Sequence, residues 1–365
     1  MTANGTSKPL EILLIGLGSV GSVYAYCLEN AGRARVTAVA RSNYKLYTTT
    51  GVTLKTNQFG TIENWRPYKV VKSQEEALAG DVKYDYCLIT TKCLPDVNPT
   101  SKLVEPVINS GKVGAFVLVQ NGLDVEVDLY EAVKETNIPI VSSCIWIGIM
   151  TSPDGGIVHW GGGGTAVMGI YPPAAVNEIP NETSKSALEI WYAATEGTGL
   201  GAKIADNIKS VRFTKNIGNV MFSSLQSLTR TTSEVFDPLP PSIQAHVKAY
   251  MHEILEVGFK SGLLYKGAPF WPSGNPLGSL DELAESTWDF ITRAAAAVAS
   301  GQTTHRMSMT IDVDLGRPIE VEVIVGSVLR LAEEYKVDTP RLGLIYALLK
   351  ALQGDLVSKQ KSRIA

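Results

Sequence analysis

The stretch that most constrains this chain runs from Leu10 to Gly32 and reads "LEILLIGLGSVGSVYAYCLENAG". The apolar run from Ile12 to Ile15 fits a strand buried on both faces of a parallel sheet. Gly16, Gly18 and Gly21 follow at the spacing G-x-G-x-x-G, and a helix-like segment completes the unit. The first glycine permits a tight turn, the second lets the backbone approach a pyrophosphate, and the third lets the helix pack closely on the strand. The turn of Gly16, Leu17, Gly18, Ser19, Val20 and Gly21 is therefore expected to hold an anion on its free N–H groups, with the helix dipole behind it. The glycine pattern alone is a weak signal, since a bare turn in an α/β sheet looks the same. Here a second strand, "ARVTAVAR", comes at the proper distance, and the reading is a dinucleotide site.

That second strand ends at Ala40–Arg41. A site that prefers NAD usually places a carboxylate here to hold the ribose hydroxyls. This chain offers Arg41, then Ser42, Asn43 and Lys45, a cation and polar groups that suit a 2′-phosphate, so NADPH/NADP+ is the expected cofactor. Further strands are read at "YDYCLITTK" and "AFVLVQNG". Both end in polar residues, and strand C-termini are where an open α/β sheet builds its ligand crevice. Lys92 and Asn121 are accordingly expected at the cofactor, against the plainer readings of a surface lysine and a turn asparagine before Gly122. The Pro153–Gly156 turn predicts antiparallel hairpins closing the sheet, Gly161 to Gly164 a hairpin tip, and Tyr171 to Ser186 an exposed loop before a helix. His159 lies in a strand and is read as structural.

A length of 365 residues implies two domains. The division expected is 1–208 for an α/β, Rossmann-type dinucleotide-binding domain and 209–365 for an all-helical domain, with substrate between them. A net charge of −3 argues against nucleic acid or a polybasic membrane contact, and no apolar run reaches the ~20 residues needed to span a bilayer. The N-terminus has neither an apolar signal core nor an Arg-rich presequence, which predicts a short disordered tail on a cytosolic (cytoplasmic) protein. Cys27, Cys87, Cys93 and Cys144 are read as buried free thiols rather than disulfides, and no metal site is expected. The sequence leaves the oligomeric state open, a homodimer being one option.

From about Ser210 the alternation of strands gives way to helical periodicity at 211–230, 241–262, 281–299, 319–336 and 340–353, with a polar, fraying tail after it. In "VRFTKNIGNVMFSSLQSLTR" (211–230), Phe213, Ile217, Val220, Met221, Leu225 and Leu228 share one helical face. Lys215, Asn219, Ser223 and Gln226 share the opposite one, which is either solvated or the wall of a site. No acid occurs between Asp206 and Glu234 while Lys209, Arg212, Lys215 and Arg230 do, and ordinary exposed helices mix both signs.

The ordered set resembles the ketopantoate reductase (2-dehydropantoate 2-reductase) family from Leu10 to about Leu352. It comprises the glycine turn, a lysine after a third strand, "QNG", a helix with K-x-x-x-N, then Ser-Met and "GRPIE". The resemblance implies a Rossmann domain followed by a helical domain. It also implies reduction of the 2-oxo group of ketopantoate by NADPH, a step of pantothenate biosynthesis. Carried over by motif, it makes Lys92 a cofactor contact, Asn121 the residue at nicotinamide and substrate, and Lys215 the catalytic lysine. It makes Asn219 a substrate amide, with Ser223 one turn on where the family has a second asparagine. Ser308 becomes a contact for the substrate carboxylate, and Glu320, placed early in an apolar helix after Pro318, the acidic active-site residue. Val321–Glu322, Val325–Gly326 and Ile311 also depart from the family pattern. They leave a bulkier 2-oxo acid or a ketone open as substrate. A non-catalytic NADPH sensor is the competing class, and it would not need Lys215, Asn219, Ser308 and Glu320 together.

Overall fold

Alternate residues of the first strand, β1 (Leu10–Ile15), enter opposite cores in the computed structural model of the protein, which describes residues 8–173, 181–231, 240–301 and 306–364. Ile12 and Leu14 join one apolar cluster and Leu13 and Ile15 another, so both faces are dry. The strand is also paired on both edges. It runs parallel to β2 (Ala34–Val39) on one side. On the other it runs parallel to the strand Tyr84–Ile89, designated β6 because β3 (Val52–Thr56), β4 (Gly60–Trp65) and β5 (Lys69–Val71) come before it. With β7 (Val113–Leu118), β8 (Ile140–Trp146), β9 (Ile149–Thr151), β10 (Ile157–Trp160), β11 (Thr165–Tyr171) and β12 (Ala202–Ile204), the strands build two sheets. The larger has the order β12-β11-β8-β7-β6-β1-β2-β5, parallel throughout except where β11 meets β8. Strand order reverses at β1, the kind of point at which a doubly wound sheet opens its ligand crevice.

The smaller sheet, β4-β3-β10-β9, went unread in the sequence. The Pro153–Gly156 turn does join an antiparallel pair, β9 and β10, but that hairpin belongs to the small sheet; the main sheet gains its antiparallel strand from β11. Gly161 to Gly164 are consequently not a hairpin tip. They carry the chain from one sheet to the other, Gly162 and Gly163 in the left-handed region at φ 78° and 65°. The loop expected through Ser186 ends earlier, because Asn181 caps a helix at Glu182–Thr195 by accepting from the Thr183 N–H. The central part of that loop, 174–180, and the expected tail at 1–7 lie outside the described residues.

The chain divides into two units. The first is Met1–Lys92, Thr100–Gln120 and Glu126–Ile208, and it holds the eight-stranded and four-stranded sheets, a third pair, Pro269–Phe270 with Asn275–Pro276, belonging to the second. The second is Cys93–Pro99, Asn121–Val125 and Lys209–Ala365, and it is built chiefly of helices. The fold is thus a Rossmann-type α/β region followed by a helical region. All four cysteines are buried, and no disulfide joins them. No helix of the described residues is long and apolar enough to cross a membrane.

Two twenty-residue helices, Pro241–Lys260 and Leu280–Ala299, supply much of the second unit's core, with Ile254, Leu255 and Val257 from one and Ile291 and Ala295 from the other. The second of them starts at a capping box, Ser279 with Glu282. The last helix runs Pro340–Ile364, so the polar tail does not fray after residue 353; Leu356 is buried and gives that stretch an apolar anchor. Its start is held by the buried Glu253 carboxylate, which accepts from the N–H groups of Arg341 at 3.1 Å and Leu342 at 2.9 Å, where a negative charge suits the helix dipole.

A charged group ties this helix to the segment Cys93–Pro99. Lys350 Nζ lies 3.0 Å from Asp96 and 2.6 Å from Glu322, and the Tyr346 hydroxyl donates to Glu322 at 2.9 Å. Burial pushes the Glu322 carboxyl up, but the bonds from Lys350 and Tyr346 outweigh it and hold it below the usual range. Burial likewise pulls Lys350 down, and its carboxylate partners raise it overall. A depressed carboxylate stabilises the fold above its unfolded pKa, and that contribution fades as pH falls through the folded value. Lys350→Met is therefore expected to lower Tm at pH 7 and to differ less from wild type near pH 3. Equal melting of the two proteins at pH 7 would show the group to be inert.

Candidate active site

In the first unit the glycine turn sits at the C-terminal end of β1, between the ends of β2 and β6. Gly16 has φ +109°, and a Cβ there would meet the Thr91 N–H at 2.8 Å. A Cβ on Gly21 would strike the Gly16 carbonyl at 2.3 Å, so the Ser19–Asn30 helix packs on the strand only because that side chain is absent. A Cβ on Gly18 would meet nothing within 4 Å. The turn is braced from both neighbouring strand ends. The Thr90 hydroxyl donates to the Gly16 carbonyl at 2.5 Å, and the Asn43 amide donates to the Leu17 carbonyl. Leu17 is buried, whereas Ser19 and Val20 open the helix half-buried. The open space over Gly18 beside a helix N-terminus fits a pyrophosphate. Gly18→Ala, at φ −96°, should keep its Tm yet bind a dinucleotide at least tenfold more weakly; calorimetric titration and a thermal melt together check this.

Arg41, Ser42 and Lys45 are exposed just past the end of β2. Asn43, grouped with them in the sequence, has its amide engaged in bracing the turn. A further cation stands beside them unannounced by local sequence. Lys72 follows β5, which pairs with β2, and its Nζ lies 5.1 Å from the centre of the Tyr44 ring. Lys92 is exposed at the end of this unit's β6 segment.

The second unit gathers most of the other expected residues. Lys215 Nζ donates to Asn121 Oδ1 at 2.6 Å, and both residues are half-buried. Glu320 is 3% exposed, and its Oε1 accepts from the Cys93 N–H at 3.1 Å. It precedes the helical segment instead of lying within it, because regular structure resumes only at Val321. Ser308 is exposed as the first residue of a short helix, Ser308–Asp314.

The 211–230 stretch is helical but not one regular helix. Ile208–Gly218 is α, Asn219–Ser223 is a π-turn, and Ser224–Thr229 is α again. The extra residue of a π-turn shifts the phase of everything after it, so the polar face read at constant period does not persist. Lys215 and Asn219 are half-buried, while Ser223 and Gln226 are buried. The solvated-face reading fails for these last two. The Asn219 side chain has no hydrogen-bond partner among the described residues.

A second π-turn, Glu322–Gly326, packs against the first. Its Val323 carbonyl accepts from the Leu123 N–H at 2.7 Å, and its Ile324 carbonyl from the Asn216 amide at 2.8 Å. Arg212, 2% exposed, donates to the Gly122 carbonyl at 3.2 Å. Gly122 has φ +101°, and a Cβ on it would lie 2.6 Å from the Val323 carbonyl. Asn216, Gly122 and the Cys93 N–H were not singled out as site residues in the sequence. Two of these contacts use backbone atoms, which carry no side-chain signal.

Two profiles match the chain: "Ketopantoate reductase PanE/ApbA" over residues 12–173, and its "C terminal" counterpart over residues 207–353. A 2-dehydropantoate 2-reductase of Nostoc sp. is 24% identical over 93% of this chain and 94% of its own length. An uncharacterized protein of Saccharomyces cerevisiae is 25% identical over 96% and 95%. The crystal structure of 2-dehydropantoate 2-reductase from Methylococcus capsulatus superposes with a TM-score of 0.71 at 25% identity, covering 95% of this chain and 98% of that one. With both halves matched in order, this chain belongs to the ketopantoate reductase family of oxidoreductases.

Proposed function

We propose that the protein reduces the 2-oxo group of a small 2-oxo acid with NADPH, ketopantoate to pantoate being the leading reaction. The observation that carries this reading is the Lys215–Asn121 pair at 2.6 Å, in one unit with the buried carboxylate of Glu320, within a chain of this family. The nicotinamide would supply a hydride to the carbonyl carbon. The electron pair of the C=O bond then moves onto oxygen, and the Lys215 ammonium hydrogen-bonds that oxygen and gives it a proton, leaving a hydroxyl. Asn121 fixes the ammonium by accepting one of its three protons. The amide of Asn219, without a partner among the described residues, and the exposed hydroxyl of Ser308 are assigned to the substrate, Ser308 to its carboxylate. Glu320, held by the Cys93 N–H, provides the negative charge that orients the lysine. In the first unit the glycine turn is assigned to the pyrophosphate, Arg41 to the 2′-phosphate and Lys92 to the cofactor.

A bulkier 2-oxo acid is the second reading, favoured by Ser223, a smaller residue where the family pattern has asparagine. Oxidation of NADPH measured against a panel of 2-oxo acids that includes ketopantoate tests both. The wild type is expected to prefer NADPH over NADH by kcat/KM, and Arg41→Asp to erase or reverse that preference, because a carboxylate repels a 2′-phosphate and accepts from ribose hydroxyls. Equal use of the two cofactors by the wild type would defeat the assignment of NADPH, and silence on every 2-oxo acid would defeat the reading as a whole.

A further inference from the structure

Lysine has a long, flexible side chain, so the place of its ammonium depends on how firmly its backbone and its partner are held. Here Lys215 sits on one segment and Asn121 on another, and both are fastened to the same π-turn. The Leu123 N–H, two residues past Asn121, reaches the Val323 carbonyl at 2.7 Å. The Asn216 amide, next to Lys215, reaches the adjoining Ile324 carbonyl at 2.8 Å. Arg212, on the same helix as Lys215, adds a direct strut to the Gly122 carbonyl at 3.2 Å.

Asn216 is an unfavourable residue to bury. It is 2% exposed, and its Oδ1 has no partner among the described residues. A buried amide left half-satisfied costs free energy that a leucine of similar size would not. Among the described residues its side chain makes one hydrogen bond, to the Ile324 carbonyl.

We propose that Asn216 is a positioning residue for carbonyl reduction: by tying the Lys215 helix to the π-turn that also holds the Asn121 segment, it sets the Lys215–Asn121 geometry. This rests on the reading of Lys215 as proton donor. Displacement of a catalytic group by an ångström costs up to about a hundredfold in rate.

The experiment is a double-mutant cycle of Asn216→Leu and Lys215→Ala in the full-length enzyme, read by kcat, by KM for both substrates and by thermal melting. Asn216→Leu is expected to lower kcat about tenfold to a hundredfold with little change in KM for NADPH. In the Lys215→Ala background it should cause no further loss, since a residue that acts through Lys215 has nothing left to position. Tyr250→Phe serves as the control. It removes a 3.0 Å buried bond to Ser224 in the same helical stretch and should lower Tm with kcat near wild type. Should Asn216→Leu fail to fold, Asn216→Ser enters the same cycle. A wild-type kcat in the folded variant, or an equal loss in both backgrounds, overturns the proposal. If Lys215→Ala is itself fully active, the reading of the site falls first and this inference with it; if Lys215→Ala is inactive while Asn216→Leu is normal, only this inference fails.

Discussion

Lys215→Ala should lose ~10²–10⁴-fold in kcat, about 3–5 kcal/mol at the transition state, while keeping its fold and most of its affinity for NADPH. The size follows from removal of the proposed general acid, whose ammonium donates to Asn121 at 2.6 Å. Lys215→Arg should recover little, because a guanidinium does not give up its proton at neutral pH. Stability is expected to change little, since Lys215 is only half-buried and the apolar packing of its helix is made by Phe213 and Ile217. Steady-state kinetics with the active 2-oxo acid decide the matter. Near-normal turnover in Lys215→Ala would return the residue to an ordinary surface role, for which substitutions usually fall within ~0.5 kcal/mol.

Glu320 calls for two substitutions, because it holds a backbone donor and, in the proposed mechanism, also orients the lysine. Its Oε1 accepts from the buried Cys93 N–H, so Glu320→Ala orphans that donor and should cost ~1–3 kcal/mol of stability as well as activity. Glu320→Gln retains an oxygen that can accept from the Cys93 N–H and removes the charge, exchanging the second carboxylate oxygen for an amide NH2. It is expected to melt close to wild type and to lower kcat by one to two orders of magnitude, about 1.4–2.7 kcal/mol at the transition state, with NADPH binding preserved. If Glu320→Gln instead loses NADPH affinity at unchanged kcat, the carboxylate belongs to the cofactor or the fold and not to the reacting carbonyl.

Local chemistry made β1, its glycine turn and the following helix readable, because strand, turn and helix are consecutive and each glycine has one evident purpose. The same holds for the helices at Pro241–Lys260 and Leu280–Ala299, which begin at a proline and at a Ser-x-x-Glu box. The small sheet was not readable, since β4 is mostly exposed and has no apolar alternation to mark it. Lys72 was missed because only the pairing of β2 with β5 brings it beside Tyr44. A π-turn is invisible to any fixed period, so the burial of Ser223 and Gln226 was not legible in the polar face drawn through them. Glu320 was singled out through its motif, but its partner stands 227 residues away in the sequence and is a backbone N–H.

The threading of Asn121–Val125 into the helical unit bears on how such a protein can be divided or recombined. A polypeptide starting at Lys209 would lack Leu123 and Val125, both part of its apolar core, and the N–H that meets Val323. The helical part is therefore not a self-contained gene segment, although almost all of it is continuous in sequence. A chimera joining the first 208 residues of one relative to the remainder of another would graft a foreign Asn-Gly loop onto a resident lysine helix. Residues 94 positions apart would then have to fit at once, Asn121 to Lys215, with Gly122 clearing Val323 beside them. Exchange between relatives should succeed more readily when the 121–125 loop travels with the helical part than when the crossover falls at the visible boundary.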